Sequence, residues 1–347
     1  MRRRTLLSAS LGIGALAGLA GLANVGAIPN LLRHSSQSGD VAQTGLSLHS
    51  GSDLAFGTTV TIKVLHGDAL SAQAAIQDAL REVRKIDALM SLHQERSQIF
   101  QLNRDGIVDA PDSHLLYVLG FAQQLSVLTA GAFDITVQPL WRAFSDARAT
   151  GALPAPEQIA AAKSLVNWRQ LEVQQQQLRL HAPGMAITLN GLAQGYAVDL
   201  ALAALQARGI RHALLDTGEF GSIGNKTPAQ PWILGINHPR QADALSALVE
   251  MDGRKVATSG DYAMAFSSDF VHHHIFDPAS GDSPPALASV TVAAPTGILA
   301  DGLSTAFMVM GVDKAFALAA QLPDVDMLLI DKNGTVRKTA HFPELQA

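Results

Sequence analysis

Residues 59–64, Thr-Val-Thr-Ile-Lys-Val, alternate polar and apolar side chains, the period-two pattern of a half-buried strand. Over 69–89 the apolar residues recur at helical spacing, so a strand running into a helix is predicted to open the folded body, with structure starting near Leu54. Further helices are predicted over 115–128, closed by the turn signal Thr129-Ala130-Gly131, and over 156–165. Three short strand-like runs at 169–173, 178–181 and 185–189, broken by the glutamines of 174–177 and by Pro183-Gly184, suggest an antiparallel meander. The second half reads as a helix over 193–207, then strands over 213–216, 232–236, 255–259, 270–276 and 289–293, and a last helix over 300–310. This mixture predicts an α+β fold, and no internal repeat is visible.

The first 27 residues stand apart. Arg2, Arg3 and Arg4 precede an uncharged run rich in Gly, Ala and Leu that continues until Arg33, a pattern that resembles a twin-arginine export signal. Val25-Gly26-Ala27 supplies a small-residue cleavage site. The alternative is an uncleaved membrane anchor over 6–28; both readings place the body outside the cytoplasm, in the periplasm or held on the inner membrane. Residues 28–52, rich in Ser, Gly and Gln, read as a flexible leader.

Composition narrows the chemistry. With 48% hydrophobic and 16% charged residues among 347, the chain is expected to pack a sizeable core. Residues 1–27 hold three Arg and no acid, so their removal leaves 22 of 25 basic residues against 30 acidic ones, and the formal charge of −5 becomes −8. That balance argues against nucleic-acid binding. The absence of Cys excludes disulfides, thiol catalysis and zinc–thiolate centres, so any metal must be held by oxygen or histidine.

Three places carry candidate chemistry. The apolar run 185–189 leads into Asn190-Gly191-Leu192-Ala193-Gln194-Gly195 and then a helix, a junction where main-chain amides and a helix N-terminus can receive a diphosphate; tight packing of strand against helix is the bland reading. Asp301 and Thr305 are four residues apart on one helix, which puts two hard oxygens on one face, as Mg²⁺ prefers; helix capping and back-bonding are the alternative use. In a strand, His273 points away from His272 and His274, so a three-histidine metal site does not fit; zinc on the pair His272 and His274 is the runner-up, solvated strand histidines are the commoner case, and a single histidine beside the turn Asp277-Pro278-Ala279-Ser280-Gly281 can instead serve as general base or phosphate donor.

From Phe56 to about Gly311 the chain resembles the ApbE family of FAD:protein FMN transferases. The resemblance is carried, in order, by Phe56-Gly57-Thr58, Met90-Ser91-Leu92-His93 with Ser97 and Leu102-Asn103, and Gly131-Ala132-Phe133-Asp134-Ile135-Thr136-Val137. It continues through Asn190-Gly191-Leu192-Ala193-Gln194-Gly195-Tyr196-Ala197-Val198-Asp199, Ala257-Thr258-Ser259-Gly260-Asp261-Tyr262, His274-Ile275-Phe276-Asp277-Pro278, and Ser289-Val290-Thr291-Val292 leading to Ala300-Asp301. It implies one ApbE-like domain over 53–345, with mixed and antiparallel sheets flanked by helices in two interlocked subdomains. It further implies Mg²⁺ at Asp301, Thr305 and the main-chain carbonyl of Gly191, and FAD contacts at Phe56, His93, Ala132, Phe133, Asp134, Thr188, Gln194 and Phe276. The implied reaction moves FMN from FAD to a Thr or Ser hydroxyl of an acceptor protein, a membrane-bound electron-transfer subunit, and releases AMP; His274 accepts the hydroxyl proton and Asp301 serves catalysis through the metal.

The sequence departs from the family pattern at Thr188 (Asp in many members), Gln194 (Lys), His93 (Tyr), Thr217 (Gly) and Ala279 (Arg). Thr188 and Gln194 are expected to form a neutral hydrogen-bonded pair in place of a salt bridge. The competing functions are an FAD pyrophosphatase that uses water as acceptor and a non-catalytic FAD-holding maturation factor. Of the three adjacent histidines only His274 is expected to matter, with His273→Asn near neutral.

Overall fold

The computed structural model describes residues 45–345 except Pro228; the expected export signal and the leader up to residue 44 lie outside the described residues. The chain is already a strand at Ser47. Ser47–Ala55 (β1) pairs antiparallel with Thr58–His66 (β2), from Ser47 opposite His66 to Ala55 opposite Thr58. This corrects the leader boundary of 52. Only Ala55 of β1 is buried, while Leu48, Ser50, Ser52 and Leu54 face solvent, so an edge strand of this kind carries no alternating hydrophobic signal.

Ala69–Met90 (α1) follows, capped by the Asp68 carboxylate on the N–H groups of Leu70 and Ser71, and it buries Ala72, Ala75, Ile76, Ala79, Leu80, Val83 and Ile86 along one stripe. Next come Gln98–Asp105 (α2), Ile107–Asp109 (β3), Ser113–Leu128 (α3), Gln138–Ala149 (α4), Pro156–Lys163 (α5), Leu171–Val173 (β4) and Gln177–Leu180 (β5). The second half holds Ala193–Ala207 (α6), Ala213–Asp216 (β6), Phe220–Ile223 (β7), Ile233–His238 (β8), Gln241–Glu250 (β9), Lys255–Gly260 (β10), Leu287–Ala294 (β11), Gly297–Ala319 (α7), Asp326–Asp331 (β12) and Val336–Lys338 (β13). The last helix outruns the expected 300–310 and is kinked where Gly311 takes φ 74.

The main sheet has eight strands in the order β1-β2-β6-β7-β10-β11-β12-β13, every neighbour antiparallel. One face is covered by α1, α6 and α7, whose Ile76, Val198, Leu202, Leu303 and Phe307 share a core with Ile62, Leu215, Val290 and Val292. The β8–β9 hairpin covers the other, where Trp232, Leu234, Ile236 and Val249 meet Leu65, Leu214, Phe220 and Ile330. Covered on both faces, β11 is buried at every position.

Two predicted strands are absent. The run 185–189 is buried apart from half-buried Thr188 but joins no sheet; the small second sheet is instead β3-β5-β4. The Asn103 side chain takes a neighbouring strand's place: its Oδ1 accepts from the Ile187 N–H (2.7 Å) and its Nδ2 donates to the Ile187 carbonyl (2.8 Å), while the Thr188 N–H donates to the Ile135 carbonyl (2.8 Å). Residues 270–276 likewise lie in the long loop between β10 and β11, where Ala265 and His273 form an isolated bridge. Phe270, at φ 59, leaves the extended region and prevents a continuous strand.

Candidate functional site

The site is assembled where α6 and α7 start. Leu189 ends the buried run, its carbonyl accepts from the N–H groups of Leu192 and Ala193, and the chain turns into α6. Among the described residues the main-chain N–H groups of Gly191 and Gln194 find no acceptor, which leaves them available to an anion. Gly195 lies against the first turn of α7, where an added Cβ would collide with the Gly297 carbonyl and the Asp301 side chain. Its N–H donates to Asp301 Oδ2 at 3.0 Å. The Asp199 carboxylate, one turn further along α6, caps α7 by accepting from Gly297 N (2.7 Å) and Ile298 N (3.1 Å).

Thr305 is on the same face of α7 as Asp301, as its spacing requires. A Cβ on Gly191 would stand 2.9 Å from Thr305 Oγ1 and 3.6 Å from the Phe133 ring, so three sequence-predicted positions converge with Asp301. Ser259 of β10 fixes the hydroxyls, with its Oγ 3.1 Å from Thr305 Oγ1 and 2.8 Å from Ser304 Oγ.

Sequence reasoning missed Glu219. It lies at the β6–β7 turn, is buried, and accepts from the Thr258 N–H at 3.2 Å. Burial, then the charge of Asp301, pushes its carboxyl well above the usual range, and burial pushes Asp301 up to about 7. Among the described residues no cationic side chain forms an ion pair with either, so two buried carboxylates share a pocket that a bound cation would neutralise. Among these residues no group of three or more His, Cys, Asp or Glu forms a cage. The Asp301 carboxylate and the Thr305 hydroxyl are instead hard oxygens of the kind that suits Mg²⁺, which completes its shell with water and phosphate oxygen.

Gln194 does not pair with Thr188. Its Nε2 donates to the Thr217 carbonyl at 2.5 Å, and Thr217 Oγ1 donates back to the Gln194 carbonyl at 3.3 Å, which ties α6 to the β6–β7 turn. Thr188 Oγ1 accepts instead from Asn190 N at 3.3 Å. The two side chains serve different loops, and this corrects the expected pair.

Asp134 is buried and turned inward, accepting from Thr136 N (2.8 Å), Thr136 Oγ1 (2.6 Å) and Trp168 N (3.1 Å); burial raises its pKa. Ala132 beside it is half-buried. Near the end of α1, Asp87 Oδ1 accepts from Phe56 N (3.0 Å), and exposed His93 follows the helix with its N–H donating to Ser91 Oγ (3.2 Å). Phe276 is buried against Phe144, with ring centroids 5.1 Å apart.

The three histidines have different surroundings. His272 Nδ1 is 2.8 Å from Asp282 Oδ1. His273 is fully buried, and burial lowers its pKa to about 3. His274 is half-buried, burial lowers its pKa, and its Nδ1 lies 3.2 Å from the Met264 carbonyl. A carbonyl can only accept, so Nδ1 carries the hydrogen and the Nε2 lone pair is free. With His272 committed to Asp282, this arrangement favours a single base over a zinc pair.

The ApbE family model matches residues 56–329. A curated FAD:protein FMN transferase from Salmonella typhimurium (strain LT2) is 30% identical over 303 residues, which cover 84% of this chain and 86% of the relative. The crystal structure of the ApbE protein from Thermotoga maritima superposes with a TM-score of 0.75 at 26% identity, covering 85% of this chain and 97% of the other. The apo form of Pseudomonas stutzeri flavinyl transferase ApbE gives 0.73 at 29% identity, covering 85% and 94%.

Proposed function

Because the chain belongs to the ApbE family, we propose that it transfers the FMN half of FAD to a Thr or Ser hydroxyl of an acceptor protein, uses Mg²⁺, and releases AMP. The observation that carries this reading is the α6–α7 junction, where the unpaired N–H groups of Gly191 and Gln194 lie beside the oxygens of Asp301 and Thr305. Those amides and the start of α6 bind the diphosphate; Asp301, Thr305 and the Gly191 carbonyl hold Mg²⁺. The bound ion supplies charge neutralisation at the phosphates.

His274 is the base. Its neutral ring takes the acceptor hydroxyl proton at Nε2 while the hydroxyl oxygen forms a bond to the FMN phosphorus, and the bond to AMP breaks with its electron pair on the AMP phosphate. Neutral Gln194 and Thr188 suit this role through hydrogen bonds to the main chain. The arginine-led N-terminal segment supports a periplasmic location, or retention on the inner membrane, beside a membrane-bound electron-transfer subunit as acceptor.

The test incubates purified protein with FAD, Mg²⁺ and an acceptor fragment bearing the target hydroxyl, with intact-mass detection. A Mg²⁺-dependent gain equal to esterified FMN is expected, with AMP in equal amount. FMN and AMP without an adduct on a proven acceptor would replace transfer by hydrolysis, and FAD binding without turnover would leave a flavin-holding factor.

A further inference from the structure

We propose that Arg240, Asp261 and Lys332 form an ionic clamp whose work is to position the His274 imidazole; the inference rests on the reading of His274 as the base. Asp261 follows β10 directly, is 0% exposed, and its N–H donates to the Ala288 carbonyl at 3.0 Å. Its carboxylate receives both terminal nitrogens of Arg240, each at 2.7 Å, and Lys332 Nζ at 3.0 Å. The two cations come from separate connections: Arg240 from the β8–β9 turn and Lys332 from the turn after β12.

The same two side chains also hold Phe270. The Arg240 guanidinium stacks 4.4 Å from its ring centroid, and Lys332 Nζ donates to its carbonyl. Phe270, at φ 59, has a backbone conformation that a bulky residue keeps only when its surroundings impose it. The segment between the two anchors folds back on itself: Phe266 N donates to the His272 carbonyl (2.7 Å), Ala265 bridges His273, and His274 N donates to the Met264 carbonyl (3.0 Å). One pair of cations therefore grips this small hairpin at Asp261, its base, and at Phe270, its tip. The Met264 carbonyl, three residues from Asp261, orients His274 Nδ1 and leaves Nε2 as acceptor. The clamp residues touch no reacting atom in this scheme; they act through His274.

Arg240→Met and Arg240→Lys, each made in the wild type and in His274→Asn, test this. Arg240 is the safer target because its loss leaves Lys332 on the buried carboxylate. The expected result for Arg240→Met is a kcat for acceptor labelling about 10–100-fold lower with the FAD KM within about twofold, since a small misplacement of a catalytic group costs on that order. Arg240→Lys should recover part of the loss by restoring the charge without the fork. In the His274→Asn background Arg240→Met should cost nothing further, and hydrogen exchange at the Phe266 and His274 amides should accelerate. Additive losses with His274→Asn, a rise in FAD KM that accounts for the defect, or unchanged exchange at those two amides would each overturn the clamp. Wild type that never labels a proven acceptor would instead sink the transferase reading, and the exchange measurement would still judge the clamp alone.

Discussion

Asp301→Asn should make the metal-free protein more stable at pH 8 while abolishing its response to Mg²⁺. Asp301 is 3% exposed, accepts from the Gly195 N–H, and burial pushes its carboxyl from 3.8 up to about 7. A pKa raised by folding means that the folded state holds the proton more tightly, so this contribution to stability is complete below pH 3.8 and is lost as pH rises through about 7. At about 1.4 kcal/mol per pKa unit, the shift corresponds to about 4 kcal/mol of destabilisation at pH 8. Asparagine keeps an oxygen for the Gly195 N–H and carries no charge, so the variant escapes most of this penalty. Asp199, Asp216 and Asp134 are also raised by burial and give both proteins a common decline with pH, whereas Glu219, held up in part by the Asp301 charge, is relieved in the variant and moves the difference between the two proteins the same way. Urea unfolding of chelator-treated protein should show a gap approaching about 4 kcal/mol at pH 8 that narrows toward pH 5. Mg²⁺ at a hundred times its Kd should then stabilise the wild type by about 2.7 kcal/mol and the variant not at all. A variant less stable than wild type at pH 8 without metal, or equally stabilised by Mg²⁺, would refute the reasoning.

His274→Asn should lower acceptor labelling by about 10²–10⁴ with FAD affinity retained, as read by in-gel fluorescence and calorimetry. The fully buried position of His273 changes what its substitution should do: His273→Asn is expected to cost about 1–3 kcal/mol in urea unfolding, and a neutral result would show that the site tolerates a new polar group. Asp199→Ala removes the cap that α6 gives α7 and should lower stability by about 1–2 kcal/mol, with weaker Mg²⁺ binding because Asp301 sits on the helix it caps. An unchanged unfolding midpoint would remove Asp199 from that role.

The elements legible in the sequence are those whose packing follows their own periodicity. The helix over 193–207 and the strand over 213–216 were readable to the residue because each buries one regular set of side chains against a neighbour. β1 escaped because an edge strand with a solvated outer face and Ser, His, Gly and Asp facing α1 has no hydrophobic alternation to detect. The run 185–189 misled in the other direction, since its apolar residues are buried as a strand's would be but its hydrogen bonds come from the Asn103 amide and the Ile135 carbonyl, both far along the chain. Asp301 and Thr305 could be placed from helical spacing alone. Glu219 could not: its significance lies in two strands and a helix meeting around it, and the segment Thr217-Gly218-Glu219 looks like any polar turn. The Arg240–Asp261–Lys332 group was hidden for the same reason, being assembled from three connections with no common spacing.

The meeting of α6 and α7 sets which positions of the site can drift. Gln194 reaches its partner with a side chain, and a lysine there could donate to the same Thr217 carbonyl, so exchange leaves the main chain where it is. Thr188 likewise serves only its own turn. Gly195 and Gly297 oppose each other through backbone, each presenting its carbonyl where the other's Cβ would be. A clash with a side chain can be relieved by a second substitution; a clash with a carbonyl cannot, because no mutation shortens the main chain. A lineage can therefore rewrite the residues around the turn into α6 one at a time, whereas a change at either glycine closes the route unless the two helices recross.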